Sequence, residues 1–498
     1  MNYYLGIDLG SSSIKASLVE VNTGKSISVV QQPKEEMSII AHKNGWAEQN
    51  PNSWWKYICE AIKELKAENS INANQIKGIG ISYQMHGLVL IDNKGNVLRY
   101  SIIWCDSRAV TIGNDAFTAI GQEQCKTQLL NSPANFTASK LKWVKENEPE
   151  LYDKVDKFML PGDYIAYKFS GNINTTISGL SEGIFWDFKN NSVADFLLTH
   201  YGINTSMVPD IVDTFSQQSL VDENGAQESG LAVGTPILYR AGDQPNNALS
   251  LNVFNPGEVA ATGGTSGVVY AVSESLSSKE SDRINNFAHV NYAKDASPKI
   301  GKLLCINGAG IQYRWLLNNL QVDSYAEMND LANQIAIGSE GLSILPFGNG
   351  AERVFSNTEI GTRIVNINLN KHQKAHLCRA ALEGIAFSFV YGMEILMNDG
   401  VQPKVMRAGN DNLFRSEIFS TTIATLTNQD IEIYNTTGAI GAARACNLHK
   451  GDFDAFSKVI LENDYVMTYY PSKEKEAYQK AYETWKSELT LILEKESK

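Results

Sequence analysis

Tyr4-Leu-Gly-Ile-Asp-Leu-Gly-Ser-Ser-Ser-Ile-Lys-Ala-Ser-Leu-Val-Glu20 is echoed 254 positions later by Glu258-Val-Ala-Ala-Thr-Gly-Gly-Thr-Ser-Gly-Val-Val-Tyr-Ala-Val-Ser-Glu274. Each stretch reads as a strand, a Gly-Ser/Thr turn and a second strand, with β-branched residues flanking the turn. One interpretation is two unrelated hairpins in an ordinary α/β protein. The matched spacing favours the other, in which two related domains each present a hydroxyl-lined turn to a shared cleft.

The turns of the two hairpins have the composition of anion-binding loops. Glycine lets backbone N–H groups approach an anion closely, and the hydroxyls add further donors, so we expect a polyphosphate ligand. The hairpins differ at one position, because Asp8 of the first corresponds to Thr262 of the second. Only the first hairpin therefore offers a carboxylate for Mg²⁺. The candidate phosphate ligands are Gly10, Ser11, Ser12, Gly264 and Thr265.

Length and composition restrict the class of protein. With 498 residues the chain is too long for one hydrophobic core, and 43% hydrophobic with 20% charged residues is typical of a soluble globular protein. A net charge of −12 argues against nucleic acid or an anionic membrane as partner. The six cysteines form no C-x-x-C pair, which favours reduced thiols in a cytoplasm. We found neither a charged-then-apolar leader nor an apolar run of about 18–20 residues, and we expect a cytoplasmic protein.

Strands followed by helices recur in both halves, which predicts an α/β fold with two sheets. The irregular stretch 252–257 is the candidate junction, and we divide the chain into an N-terminal domain, 1–246, and a C-terminal domain, 247–498. In the first half, Pro51 and an apolar stripe predict a helix over 51–68.

Asp243 follows a predicted strand and stands at the start of a small-residue helix. A carboxylate there is often only a helix N-cap. Its place near the junction, between two phosphate-type hairpins, favours a second role, in which it accepts a proton from a substrate hydroxyl.

Two loops of the first half and two of the second are candidate ligand contacts. His86 and Trp104 lie in loops at strand ends, where α/β proteins bind ligands, although each has a structural alternative. In the second half, the stretches 307–312 and 406–412 place glycine where a planar ligand such as adenine approaches the backbone. Both could also be simple connections.

Taken in order, these motifs resemble the FGGY family of carbohydrate kinases over nearly the whole chain. The matching stretches are Gly6-Ile-Asp-Leu-Gly-Ser-Ser12, Trp46-Ala-Glu-Gln49, Gln84-Met-His-Gly87, Trp104-Cys-Asp-Ser-Arg108, Leu160-Pro-Gly-Asp-Tyr164, Gly242-Asp243, Gly264-Thr-Ser-Gly267 and Leu345-Pro-Phe347. The resemblance implies two ribonuclease H-like domains of the actin and hexokinase superfamily, with ATP and a sugar bound in the cleft between them.

The resemblance also implies roles for individual residues. Asp243 would be the general base, Asp8 and Asp243 would lie on the Mg²⁺ side, and Gly10, Ser11, Ser12, Gly264 and Thr265 would hold phosphates. The sugar would be contacted by Met85, His86, Trp104, Asp243 and Gln244, and the adenosine by Gly308, Gln312, Gly409 and Asn412.

The expected activity is ATP- and Mg²⁺-dependent phosphorylation of the terminal hydroxyl of a ketopentose. Gln84-Met-His-Gly87 and Trp46-Ala-Glu-Gln49 are most similar to members that act on D-xylulose, whereas Gln244 is the residue that glycerol kinases show. The alternatives are therefore another ketose or polyol (ribulose, fuculose, glycerol) and, from a different class, a non-catalytic nucleotide switch of the actin and chaperone type. A homodimer is possible.

Overall fold

A computed structural model describes residues 1–496, apart from the side chain of Lys450. Its strands are β1 Tyr3–Leu9, β2 Ile14–Glu20, β3 Ser26–Gln32, β4 Glu48–Gln49, β5 Ile76–Tyr83, β6 Val89–Ile91, β7 Ser101–Ile102, β8 Lys157–Met159, β9 Asn174–Thr176, β10 Trp186–Asp187, β11 Ser192–Val193, β12 Asp210–Val212, β13 Phe215–Leu220, β14 Pro236–Gly242, β15 Glu258–Gly263, β16 Gly267–Ser273, β17 Asn285–Ala288, β18 Ile300–Ile306, β19 Ser343–Phe347, β20 Gly361–Val365, β21 Val405–Gly409, β22 Ile431–Tyr434 and β23 Tyr465–Tyr469.

The α-helices alternate with these strands in both halves of the chain. They are α1 Pro51–Glu68, α2 Val110–Ile120, α3 Gln122–Gln128, α4 Thr137–Asn147, α5 Pro149–Tyr152, α6 Pro161–Ser170, α7 Ile177–Glu182, α8 Asp195–Tyr201, α9 Glu223–Ser229, α10 Asp243–Ser250, α11 Gly310–Asn319, α12 Tyr325–Asn333, α13 Lys374–Asn398, α14 Glu417–Thr427, α15 Gly438–Ala445, α16 Phe453–Asp464 and α17 Lys475–Glu496.

The two large sheets have the same central topology. The first has six strands in the order β13-β14-β5-β1-β2-β3, and the second has seven in the order β17-β18-β16-β15-β21-β22-β23. In the first, β1 pairs antiparallel with β2 and parallel with β5. In the second, β15 pairs antiparallel with β16 and parallel with β21. The sequence repeat is therefore a repeat of structure, and both predicted hairpins are confirmed.

Helix α1 shows how local sequence determines an element. Asn50 caps its N-terminus by accepting a hydrogen bond from Asn52 N–H, and Pro51 occupies the first turn, where its missing N–H costs nothing. The apolar stripe of α1 is buried against the first sheet, and the observed bounds agree with the predicted helix over 51–68. The stripe consists of Trp54, Trp55, Ile58, Ile62 and Leu65.

Helix α15, from the second half of the chain, packs against strands of the first sheet. Glycine makes this close approach possible, because a Cβ built on Gly6 would lie 1.9 Å from the Ala439 carbonyl oxygen. A Cβ on Gly80 would lie 1.8 Å from the Ala442 carbonyl oxygen. The Gly/Ala stretch that begins α15 is thus used for packing between the halves.

Helix α10 lies between the two sheets. It contacts β5 and β14 of the first sheet, β15 and β16 of the second, and α15. The first sheet uses residues 3–242 and the second uses residues 258–469, with no regular element over 251–257. This arrangement is compatible with the predicted division at 246/247, which stays a prediction.

One helix in residues 1–496, α13, is long and apolar enough to cross a membrane by length and composition. Arg379, Glu383 and Glu394 interrupt this helix, so it contains no continuous apolar run of the expected length of about 18–20 residues. Because 83% of its most apolar window is buried inside the protein, α13 is packed as a core helix of the second half.

Candidate active site

Three neighbouring parallel strands bring the predicted site residues to one edge of the first sheet. Leu9 at the end of β1 is in register with Tyr83 at the end of β5, and Tyr83 is in register with Gly242 at the end of β14. The turn 10–13 after β1, which is predicted to bind phosphate and is called the phosphate turn below, therefore lies beside the loop after β5 and Asp243 after β14. Strand carboxyl ends of this kind are where α/β sheets bind ligands.

Asp8 occupies the base of the first hairpin. It accepts a hydrogen bond of 2.8 Å from the Ser82 hydroxyl, and Lys15 stands opposite it on β2. Burial raises the pKa of the Asp8 carboxyl, while Ser82 and Lys15 act in the opposite direction. Asp8 is thus a carboxylate held in place by one neighbour, with a lysine on the same face of the hairpin.

Asp243 is the first residue of α10, directly after the N-cap residue Gly242. Burial raises its pKa to about 8, and the charges of Asp8 and Glu182 act in the same direction. A carboxyl group whose pKa lies near neutrality is suited to accept and release a proton at physiological pH.

The loop after β5 is held by residues that the sequence did not single out. Glu182, at the end of α7, accepts a 2.7 Å hydrogen bond from the His86 N–H, and the His86 Nδ1 lies 2.8 Å from the Glu182 carbonyl oxygen. His86 has φ +61°, a left-handed conformation that is uncommon for a residue other than glycine. The contacts with Glu182 hold it there. Its ring also packs against Phe287 of β17, so the second sheet contributes to this loop.

A fully buried lysine joins the two loops that we expect to contact the sugar. Lys140 of α4 donates to the carbonyl oxygens of His86 at 2.8 Å and Ile103 at 3.0 Å. Burial lowers the pKa of Lys140 to about 8. The signal that could have found it is a lysine placed beside the apolar residues Leu141 and Val144, on the side of α4 that is buried.

The remaining predicted sugar contacts surround this loop. Met85 is buried, and a Cβ on Gly242 would lie 2.6 Å from its Cγ, so the two strand ends touch. Trp104 is half exposed, and its indole N–H lies 3.4 Å from the Ser11 hydroxyl of the phosphate turn. Gln244 follows Asp243 on α10 and is partly exposed. The structure therefore brings Met85, His86, Trp104, Asp243 and Gln244 to one edge of the sheet.

The carboxylates of this edge fit a magnesium ion bound together with substrate phosphates. No group of three or more acidic, histidine or cysteine side chains arranged for a metal exists among residues 1–496. Mg²⁺ is usually held by one or two carboxylates, with water and substrate phosphates completing its shell, so a full protein cage is not required. Asp8 and Asp243 are close enough for the charge of one to raise the pKa of the other, which a bound cation would offset.

A cavity of about 620 Å³ lies beside the second hairpin. The turn of that hairpin contributes Gly264 and Thr265, whose carbonyl oxygens accept hydrogen bonds from the first N–H groups of α11. Tyr325 stacks on Tyr313 with ring centroids 5.7 Å apart. The cavity is lined by Gly263, Gly264, Thr265, Gly310, Tyr313, Arg314, Tyr325, Ala326, Asn329, Leu382, Asn412, Leu413, Arg415 and Ser416.

Of the four predicted adenosine contacts, Asn412 lines this cavity, and Gly308, Gln312 and Gly409 are not among its lining residues. The Gly308 N–H donates to the Glu352 carboxylate at 2.7 Å, and a Cβ on Gly308 would lie 2.0 Å from the Pro346 carbonyl oxygen. Gln312 accepts a hydrogen bond from the Thr362 hydroxyl. Contacts between these three residues and adenosine stay predictions, whereas the aromatic wall of Tyr313 and Tyr325 was missed.

Comparisons with known proteins agree with this geometry. The model for the N-terminal domain of the FGGY family of carbohydrate kinases matches residues 3–250. A xylulose kinase of Bacillus subtilis is 28% identical over 466 residues, which cover 92% of this chain and 90% of the relative. A xylulose kinase of Escherichia coli is 27% identical over 493 residues, covering 97% and 98%.

Solved structures share the fold over the full length. The xylulose kinase of Rhodospirillum rubrum superposes with a TM-score of 0.89 at 23% identity and covers 100% of both chains. The glycerol kinase of Plasmodium falciparum with ADP gives a TM-score of 0.88 at 20% identity, covering 99% of this chain and 98% of that one. The two-domain fold of the actin and hexokinase superfamily is thereby confirmed, and the chain belongs to the FGGY family of carbohydrate kinases, as an ATP-dependent sugar kinase.

Proposed function

We propose that this kinase phosphorylates the terminal hydroxyl of D-xylulose and forms D-xylulose 5-phosphate. The observation that carries the chemistry is the position of Asp243, a partly buried carboxyl group at the start of a helix that lies between the two sheets, beside the ends of β1 and β5. The choice of sugar is supported by relatives named xylulose kinase that align with more than nine-tenths of the chain.

In this proposal the oxygen of the sugar's terminal hydroxyl attacks the γ-phosphorus of ATP, and Asp243 accepts the proton of that hydroxyl. The bond between that phosphorus and the bridging oxygen breaks, and ADP leaves. Phosphoryl transfer depends chiefly on positioning and on stabilisation of charge. We assign the positioning of the phosphates to the turn residues Gly10, Ser11 and Ser12, and to Gly264 and Thr265 on the nucleotide side.

Asp8 and Asp243 would hold Mg²⁺ on the phosphate side of the site. The bound ion would neutralise charge on the β- and γ-phosphates. Lys15 faces Asp8 from the neighbouring strand and adds positive charge to the same side.

The sugar is assigned to the edge formed by Met85, His86, Trp104 and Gln244. Because Glu182 and Lys140 fix the backbone on either side of His86, this loop would present preorganised groups to the ketose. The half-exposed Trp104 indole offers an apolar face to the sugar ring carbons.

The nucleoside is assigned to the cavity beside the second hairpin. Its volume of about 620 Å³ falls in the range typical of small-molecule sites, and Tyr325 supplies an aromatic wall. Asn412 lines the cavity and would contact the adenosine there. Gly308, Gln312 and Gly409 would lie behind the lining residues and support them.

An ADP-release assay across D-xylulose, D-ribulose, L-fuculose and glycerol tests the substrate. D-xylulose is expected to give the largest kcat/KM. If another substrate exceeds D-xylulose by roughly tenfold, about 1.4 kcal/mol of transition-state stabilisation, the sugar assignment is wrong and the kinase assignment stands. Glycerol is the most informative competitor, because Gln244 is the residue type of glycerol kinases.

We further propose that the enzyme acts in the cytoplasm without nucleic acid or membrane partners. The net charge of −12 and the buried position of α13 support this proposal. The domain division at 246/247 belongs to the same proposal.

A further inference from the structure

One buried amide connects the loop after β5 with the phosphate turn. Gln49 is 3% exposed, and its Oε1 accepts hydrogen bonds from the Trp54 indole N–H at 3.2 Å and the Gln84 Nε2 at 3.0 Å. Its Nε2 donates to the carbonyl oxygen of Ser11 at 2.6 Å. Three separate segments of the first half therefore meet at one side chain.

The chemistry of the partners fixes the orientation of this amide. An indole N–H can only donate, so the Gln49 atom facing Trp54 must be the acceptor oxygen. The other end is then the NH₂ group, which matches the carbonyl acceptor of Ser11. Each side of the Gln49 amide has a partner of the correct type.

The bond to Ser11 controls the backbone of the phosphate turn. The Ser11–Ser12 peptide is trans, so its carbonyl and the following N–H point in opposite directions. Holding the Ser11 carbonyl toward Gln49 directs the Ser12 N–H away from Gln49. No residue within 1–496 accepts a hydrogen bond from that N–H, which leaves it available to an anion.

We propose that Gln49 is a positioning residue for phosphoryl transfer, which orients the Ser12 N–H toward the nucleotide phosphates and links the phosphate turn to the sugar loop through Gln84. Gln84 immediately precedes Met85 and His86, and its backbone N–H also donates to the Leu9 carbonyl at 2.7 Å. Binding in the sugar loop would therefore stabilise the phosphate turn. The inference rests on the proposed function for the binding of nucleotide phosphates at the phosphate turn and for the identity of the sugar.

The test compares full-length Gln49→Glu and Gln49→Met with the wild type and with Trp54→Phe. Gln49→Glu keeps the shape and the acceptor for Trp54 and Gln84, but it places an oxygen against the Ser11 carbonyl. Gln49→Met removes both the acceptor oxygen and the NH₂ donor. Trp54→Phe is the matched control, because it removes one donor to Gln49 and leaves the bond to Ser11 intact.

The first measurement is calorimetric titration with Mg²⁺ and a non-hydrolysable ATP analogue in the absence of sugar. Both Gln49 variants should bind roughly tenfold more weakly than wild type, the effect of losing one hydrogen bond. Trp54→Phe should lower Tm yet stay within roughly twofold of wild-type affinity. Because no sugar is used, an incorrect sugar assignment cannot alter this result.

The second measurement repeats the titration with D-xylulose. The factor by which sugar tightens nucleotide binding in the wild type should fall toward one in the Gln49 variants. Folded Gln49→Glu with wild-type nucleotide affinity, or an equal loss in Trp54→Phe, would overturn the proposal. If Gln49→Met does not fold, the near-isosteric Gln49→Glu decides the question.

Discussion

Asp8 and Asp243 lie at the same edge of the first sheet, and the charge of Asp8 adds to the effect of burial in raising the pKa of the Asp243 carboxyl to about 8. This relationship makes stability depend on pH. Between the ordinary value of 3.8 and about 8, folded Asp243 holds a proton that the unfolded chain has lost. The stabilisation from that proton is complete at low pH and disappears as the pH rises through 8.

Asp243→Asn should therefore raise Tm in metal-free buffer, and the gain over wild type should grow from near zero at pH 4 to its maximum above pH 8. The gain in the free energy of unfolding is on the order of a few kcal/mol, shared with Asp8 because the two groups titrate together. Thermal unfolding with a chelator present measures it. A gain that is independent of pH would contradict the assigned pKa.

Asp8→Ala should weaken the binding of Mg·ATP more than the binding of sugar, because a carboxylate on the phosphate side is lost. Calorimetry with each ligand measures the two effects. Ser82→Ala is the matched control, since it removes the hydrogen bond to Asp8 and keeps the carboxylate. Unchanged affinity of Asp8→Ala for Mg·ATP would remove Asp8 from the metal side.

Lys140→Met should raise the KM for the sugar by roughly tenfold or more and change the KM for ATP less. Two carbonyl oxygens, the partly buried one of His86 and the buried one of Ile103, would lose their donor. Lys142→Met on the same helix, where Lys142 pairs with Glu146 at the surface, is the control and should leave both constants unchanged. An equal rise in both KM values would indicate a general structural effect.

Tyr325→Ala should weaken ATP binding several-fold, because an aromatic wall of the nucleotide cavity is removed; stacking contributes about 0.5–1.5 kcal/mol. Tyr325→Phe keeps the ring and should bind ATP as wild type does. Steady-state KM values for ATP measure both. If Tyr325→Ala binds ATP with wild-type affinity, the adenine ring does not bind against Tyr325.

The sequence predicted those parts of the fold that depend on local patterns. The hairpins around Gly10 and Gly264 and helix α1 follow from strand propensity, turn chemistry and apolar periodicity. The position of Asp243 at the start of a helix was predicted in the same way and is confirmed.

Parts of the site that depend on distant pairing were not predictable. Glu182 is 96 positions from His86, and nothing near either residue indicates that they meet. Phe287 of the second sheet also contacts His86, and this contact is equally unpredictable because the two residues are far apart in the sequence. Tyr313 and Tyr325 lie on two different helices and form one wall only after those helices pack.

Measurement of kcat for Asp243→Asn, with nucleotide affinity measured on the same preparation, tests the central claim most directly. The account predicts a loss of about 10²–10⁴-fold in kcat, the range typical of a lost general base, with the fold and ATP binding preserved. Asparagine keeps the size of the side chain and cannot accept the proton. Retention of more than roughly a tenth of wild-type kcat would contradict the assignment of Asp243 as the base.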